Sequence, residues 1–263
     1  MLQRTGQQRV GAASDVYTGS TIGATASTGA MIVYSGSCTN VGTCTATATT
    51  AGDANHALSS AVATAQITKA DATVVVTPYV KEYDGQPHTA TVTSISGVNG
   101  ETVATVGAVT LSTTHTNVGT YSTDSWSFTG AANYNDIAAT VITNTIKDIT
   151  APVFTSLSTN APTLWPPNHK MVAVTVSALA SDLVGVSSLK IINVTSSEPD
   201  NGLGDGDTAG DIVITGPLSV NLRAERAGKG NGRIYTITVE ARDAAGNAST
   251  KTCTVFVPKS QGK

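Results

Sequence analysis

The densest group of residues able to do chemistry in this 263-residue chain is the acidic loop Glu198-Pro199-Asp200-Asn201-Gly202-Leu203-Gly204-Asp205-Gly206-Asp207-Thr208-Ala209-Gly210-Asp211. Closely spaced carboxylates on a glycine-flexible backbone can wrap a hard cation, which takes roughly six to eight oxygens. Asp200, Asp205, Asp207 and Asp211 are therefore one set of candidate Ca²⁺ ligands. The loop has no Glu at the last position of an EF-hand, and it occurs once rather than in an array. A competing reading keeps the charges within the protein. Arg226, Lys229 and Arg233 lie in the segment Glu225–Arg233, and in a seven-strand sandwich that segment shares a pole with the acidic loop. They could pair with Asp205, Asp207 and Asp211, and cations so placed discourage a metal.

The opposite pole of such a sandwich offers a second acidic set. Asp148 enters the domain, Asp182 sits in the connection between the second and third strands, and Asp243 in that between the sixth and seventh. Three carboxylates meeting there could share one Ca²⁺ and stiffen the linker. The plainer alternative is that Asp182 and Asp243 cap tight turns, as Asp does beside Gly and Asn.

Other single residues carry weaker signals. Trp165, in Trp165-Pro166-Pro167-Asn168-His169, could stack on a sugar face or plug the open end of a sandwich. His169 has no partner evident in sequence, and Tyr17 and Tyr83 of the Tyr-x-Gly turns read as packing residues. Cys38 and Cys44 flank a turn-forming Thr39-Asn40-Val41-Gly42-Thr43, so they are either a disulfide or a buried pair of thiols. Cys253 reads as a small buried hydrophobe. Sequons stand at Asn193 and Asn247.

Several function classes are disfavoured. There is no Gly-x-Ser-x-Gly elbow, His-Glu-x-x-His, phosphate loop or Cys-x-x-Cys, so no catalytic residue is assigned. A net charge of -3 without clustered Lys and Arg argues against nucleic acid. No apolar run approaches the length of a membrane span. The first residues lack the apolar core of a signal peptide, and three cysteines do not make a disulfide framework.

The elements that must position these groups are strands. About one residue in six is Thr, and Thr, Val, Ser and Gly favour strands and turns. No segment sustains a helical apolar period. Thr39-Asn40-Val41-Gly42-Thr43 recurs as Thr116-Asn117-Val118-Gly119-Thr120, and Tyr17-Thr18-Gly19 answers Tyr83-Asp84-Gly85, so two related repeats occupy 14–69 and 70–148. Beyond them, strand-like segments fall at 153–158, 171–177, 186–196, 211–215, 218–225, 232–242 and 249–257. Seven strands in about 110 residues fit an immunoglobulin-like sandwich. The expected fold is all-β, tandem immunoglobulin-like sandwiches with essentially no helix. Polar tails at 1–13 and 259–263 flank the repeats and a third module at 149–258.

The residues Tyr83-Asp84-Gly85-Gln86-Pro87-His88, Thr114-His115-Thr116-Asn117-Val118-Gly119-Thr120-Tyr121 and Asn133-Tyr134-Asn135-Asp136 resemble the YDG/MBG-type Ig-like repeats of large bacterial surface proteins. The first repeat is similar to a shortened relative. The third module resembles hyalin-repeat (HYR)-like Ig domains through Asp148-Ile149-Thr150-Ala151-Pro152, Ala241-Arg242-Asp243-Ala244-Ala245-Gly246-Asn247 and Cys253-Thr254-Val255-Phe256-Val257. Related modules often carry cysteines around 181–189, and this chain has none there.

The resemblance implies a non-catalytic stalk, spacer or matrix component, extracellular or on the cell surface of a bacterium. Its partners would be neighbouring modules, copies of itself, or cell-surface or matrix polysaccharide. The alternatives are a filament subunit using an open strand edge in the first repeat and a carbohydrate-binding appendage of an enzyme.

Overall fold

The computed structural model of the chain describes residues 9–27, 29–53, 57–201 and 209–260. The chain divides into two compact units, one built from residues up to 81 together with 86–146, the other from 82–85 together with 147 onward.

Alternation of small apolar residues with Thr makes the first unit a set of sheets. Its strands are β1 (Val10–Ala12), β2 (Asp15–Val16), β3 (Ala24–Ala26), β4 (Met31–Gly36), β5 (Gly42–Thr50), β6 (Ser59–Thr68), β7 (Thr73–Thr77), β8 (Val80–Glu82), β9 (Thr91–Ser96), β10 (Gly107–Ser112), β11 (Gly119–Gly130) and β12 (Ile137–Lys147). One sheet runs β2-β6-β5-β4 and another β10-β11-β12-β8, with two-stranded β1-β3 and β7-β9 beside them. Among the described residues, helix amounts to a 3₁₀ turn at Val98–Gly100 and a single turn at Val103–Val106. On β5 every second residue faces inward, so Cys44, Ala46 and Ala48 are wholly buried while the threonines between them are not. β11 does the same with Asp124, Trp126 and Phe128. The parity that pairs Trp126 with Phe128 in sequence therefore places both in the core.

That core crosses the repeat boundary. Tyr17 and Ile67 from the first repeat join Ile95, Val106, Trp126, Phe128 and Tyr134 from the second in one buried cluster. Burying each large side chain contributes about 1.5–3 kcal/mol before the cost of ordering it.

The second unit has, among its described residues, seven strands: β13 (Val153–Thr159), β14 (Met171–Ser181), β15 (Val186–Ser196), β16 (Ile212–Gly216), β17 (Ser219–Arg223), β18 (Gly232–Asp243) and β19 (Ala248–Pro258). They form the sheets β13-β14-β17-β16 and β15-β18-β19, the four-plus-three order of a constant-type immunoglobulin sandwich. All seven segments expected from sequence are strands, their ends shifted by a few residues. Tyr235, Ile237, Val239 and Ala241 share the inner face of β18 and are fully buried. Val174, Val176, Val220, Leu222, Val255 and Val257 complete the core. Cys253 packs partly buried against it.

Trp165 does not plug this sandwich. It is 41% exposed, and its neighbour Leu164, 2% exposed, enters the core instead. The Leu164 amide donates to the Phe256 carbonyl, which aims the Leu164 side chain inward and leaves the indole outside.

Candidate functional site

Strand pairing in the second unit brings Asp148, Asp182 and Asp243 together. Asp182 lies between β14 and β15, and Asp243 ends β18. The β15–β18 ladder sets Val186 opposite Asp243, which carries the two loops to one pole. Asp148 arrives there on the segment leading into β13. Each residue offers one carboxylate oxygen to a group whose atoms all lie within 4.8 Å of one another.

Local hydrogen bonds hold each carboxylate by one oxygen. Asp182 Oδ1 accepts the amides of Val184 at 2.8 Å and Gly185 at 3.3 Å. Asp148 Oδ1 accepts the Thr150 amide at 3.1 Å. Asp243 Oδ1 accepts the amides of Gly246 at 2.7 Å and Asn247 at 2.9 Å. These are the turn-capping bonds that the sequence offered as the alternative to a metal. They do not compete with one, because each leaves the second oxygen of Asp148 and Asp182 uninvolved in the turn. The turn after Asp243 needs Gly246, whose φ is +97°.

Asn247 is the member that residue types alone did not single out. Its side-chain amide donates to the Asp148 carbonyl at 3.2 Å and to Asp243 Oδ2 at 2.8 Å. Ser187 Oγ donates to the carbonyl of Asp243 at 2.7 Å, and Ser249 Oγ to that of Pro152. The signal in sequence was the Asp-x-x-Gly-Asn spacing, which places an amide one turn beyond a carboxylate. Burial alone would raise the Asp243 pKa. The Asn247 side chain and the backbone N–H groups of Asn247, Gly246 and Ala245 outweigh it and hold the carboxyl below its ordinary range. Asp148 is 9% exposed, and its Oδ2 is buried without a hydrogen-bond partner.

The acidic loop at the other pole is organised differently. Asp205 and Asp207 lie outside the described residues. Asp200 clasps the loop end, accepting the Gly210 amide at 3.0 Å and the Asp211 amide at 2.7 Å. Those two bonds hold its pKa below the usual carboxylate range. Asp211 is buried and spends both oxygens on arginines, Oδ1 on Arg223 at 2.9 Å and Oδ2 on Arg233. The cation expected to pair with Asp211 from β18, Arg233, does so. Arg226 instead donates to the carbonyls of Pro258, Ala227 and Lys259, and Arg223, not foreseen, takes a place in the pair.

Arg233 is wholly buried, with Glu198 at 3.2 Å, Glu225 at 3.7 Å and the Tyr235 hydroxyl at 3.1 Å. Burial pulls its pKa down, but Tyr235, Asp211 and Glu198 more than offset that and keep the guanidinium charged. His169 has a partner after all, with Nδ1 3.1 Å from Glu225 Oε2. Among the described residues this pole is a largely buried charge network in which Arg223 and Arg233 are shared among Asp211, Glu198 and Glu225.

In the first unit, Cys38 and Cys44 form a disulfide with Cα atoms 4.5 Å apart. Tyr17 is buried, as a packing residue would be. Tyr83, which belongs to the second unit, is half-buried, its amide donating to the Lys147 carbonyl. His115 and Asp124 pair at 2.7 Å, and Asn144 also donates to Asp124 at 2.7 Å.

No protein-family model matches the chain, and no curated protein matches it. Among solved structures it is similar to a three-Ig segment of titin, domains I67–I69, at 10% identity and a TM-score of 0.31, covering 95% of this chain and 97% of that one. The protocadherin GammaB4 extracellular domain matches at 15% identity and 0.32, over 93% of this chain and 47% of that one. Mouse protocadherin-24 EC1-3 matches at 10% and 0.29, over 93% and 96%. Those structures are built of Ig and cadherin domains.

Proposed function

We propose that the chain is a non-catalytic structural segment, a stalk or spacer of a secreted or cell-surface protein, of the kind its YDG/MBG-like and HYR-like motifs suggest. The observation that supports this most is the fusion of the two repeats. Tyr17 of the first and Tyr134 of the second donate to the two oxygens of one carboxylate, Glu101, at 2.6 and 2.7 Å. Around them Asn133 Oδ1 accepts the Val41 amide at 3.0 Å, and Asn99 Nδ2 donates to the Thr18 carbonyl at 2.5 Å. Consecutive repeats bonded and packed in this way resist pulling apart, which is what a spacer requires.

The test is size-exclusion chromatography with light scattering on the full chain, followed by electrophoresis through polysaccharide-containing gels. A single-chain mass at every concentration and no retardation fit the spacer. Concentration-dependent polymers would replace it with the filament reading. That reading has its own support in the edge strand β4, which exposes Met31 and Val33. Retardation by a polysaccharide, lost in Trp165→Ala, would replace it with a carbohydrate-binding role.

A further inference from the structure

We infer that Asp148, Asp182 and Asp243 bind one Ca²⁺ and that this ion locks the segment leading into β13 onto the β14–β15 and β18–β19 loops. The inference does not rest on the spacer reading, since a chain that assembles or binds polysaccharide would hold the same ion.

Two independent observations converge on the site. The first is spacing: one oxygen from each of three residues lies within 4.8 Å of the others. Oxygens bound to one Ca²⁺ at about 2.3–2.6 Å can stand at most about 5 Å apart, so the spacing admits that ion. The second is the Asp148 carboxylate, nine-tenths buried, with an Oδ2 that no donor reaches. An oxygen removed from water without a donor is costly to the fold. A cation shared with two neighbouring carboxylates is a partner that removes that cost.

The donor chemistry selects the ion. All three ligands are carboxylates, which suit a hard cation and not zinc or copper. The guanidinium of Arg242, the residue before Asp243, is committed to Glu240 at 3.0 and 3.3 Å and to the Gly246 carbonyl at 2.9 Å. The amides of Thr150, Val184, Gly185, Gly246 and Asn247 orient each carboxylate within its own turn, and the ion ties the three turns to one another. Asn247, bonded to both Asp148 and Asp243, is the positioning residue. The remaining coordination positions fall to water or backbone carbonyls.

The experiment uses the full chain stripped with EDTA, titrated with CaCl₂ and separately with MgCl₂ by calorimetry, and melted in each salt. One Ca²⁺ per chain is expected, with a raised melting temperature and weaker binding of Mg²⁺. Asp182→Asn, on a partly exposed turn, should weaken Ca²⁺ binding about tenfold or more, while Asp200→Asn leaves it unchanged. A measurement that needs no variant is amide exchange in the wild-type chain, which should slow on Ca²⁺ addition at Val184, Gly185, Gly246 and Asn247. The inference is overturned if the stripped chain shows neither binding heat nor a melting shift at millimolar Ca²⁺. It is equally overturned if Asp182→Asn binds as tightly as the wild type, or if exchange slows around Asp200 and Asp211 instead.

Discussion

Tyr17 and Tyr134 meet edge to face, ring centroids 5.6 Å apart, and both hydroxyls end on the Glu101 carboxylate. The first residue lies in the segment 14–69 and the second in 70–148, and both belong to one compact unit and one buried cluster. Glu101→Ala removes both acceptors and leaves the Tyr134 hydroxyl buried. Charge-assisted bonds of this kind are worth more than neutral ones, but Glu101 is partly exposed, so we expect a loss of about 1–2 kcal/mol. Urea unfolding monitored by tyrosine fluorescence should show the midpoint falling with an unchanged slope. An unaltered midpoint would mean that packing alone joins the repeats.

The same contact predicts an alkaline signature. Burial, reinforced by the bond to Glu101, pushes Tyr134 up to about 12. Tyr235 is likewise raised to about 12, chiefly by burial and in spite of Arg233. Because the folded values exceed the ordinary value of 10.0, both tyrosines favour the fold fully below pH 10, and that contribution disappears as the pH rises towards 12. Absorbance titration should therefore resolve late-ionising tyrosines whose titration coincides with loss of structure. Uniform ionisation near pH 10 with the fold intact would contradict both placements.

Arg233 is the most consequential charge. Replacing it with Met takes one of two arginines from the fully buried Asp211 and leaves buried Glu225 to Arg223 and His169, so the expected loss is about 3 kcal/mol, the low end for a broken buried pair. Arg233→Lys should recover only part of this, because an ammonium cannot repeat the forked contacts to Asp211, Glu198 and Tyr235. Thermal melts of the two variants decide the matter. Equal stability of Arg233→Met and wild type would mean that the network contributes nothing net.

Thiol counting tests the first repeat. With Cys38 joined to Cys44 and Cys253 free, the unreduced chain denatured in guanidinium should react with Ellman's reagent once. Closing so short a loop is worth about 2 kcal/mol in the chain-entropy account, so reduction should lower the stability of the first unit and spare the second. Three reactive thiols per unreduced chain would contradict the bridge.

Much of this architecture was legible in the residues. Period-two alternation from Tyr235 to Ala241 and the turn residues at Asp243-Ala244-Ala245-Gly246-Asn247 mark β18 and its end, because a half-buried strand imposes that pattern locally. The convergence of Asp148, Asp182 and Asp243 followed from strand order. Other features were not local. Arg223 reads as an ordinary strand residue, and only the pairing of β16 with β17 brings it to Asp211. The bond from His169 to Glu225 spans 56 positions. The fate of Trp165 turned on how the Pro162–Leu164 segment bridges to Phe256 through two backbone hydrogen bonds, with Leu164 and not Trp165 turned inward, which no periodicity encodes.

The central claim, that the chain is a mechanical spacer whose repeats are joined, is tested most directly by stretching single full-length molecules. Two main unfolding events are expected, the first unit yielding as one and the second unit separately, with Glu101→Ala splitting the first event into two smaller ones. Featureless extension at low force, or separate unfolding of the two repeats in the wild-type chain, would contradict it.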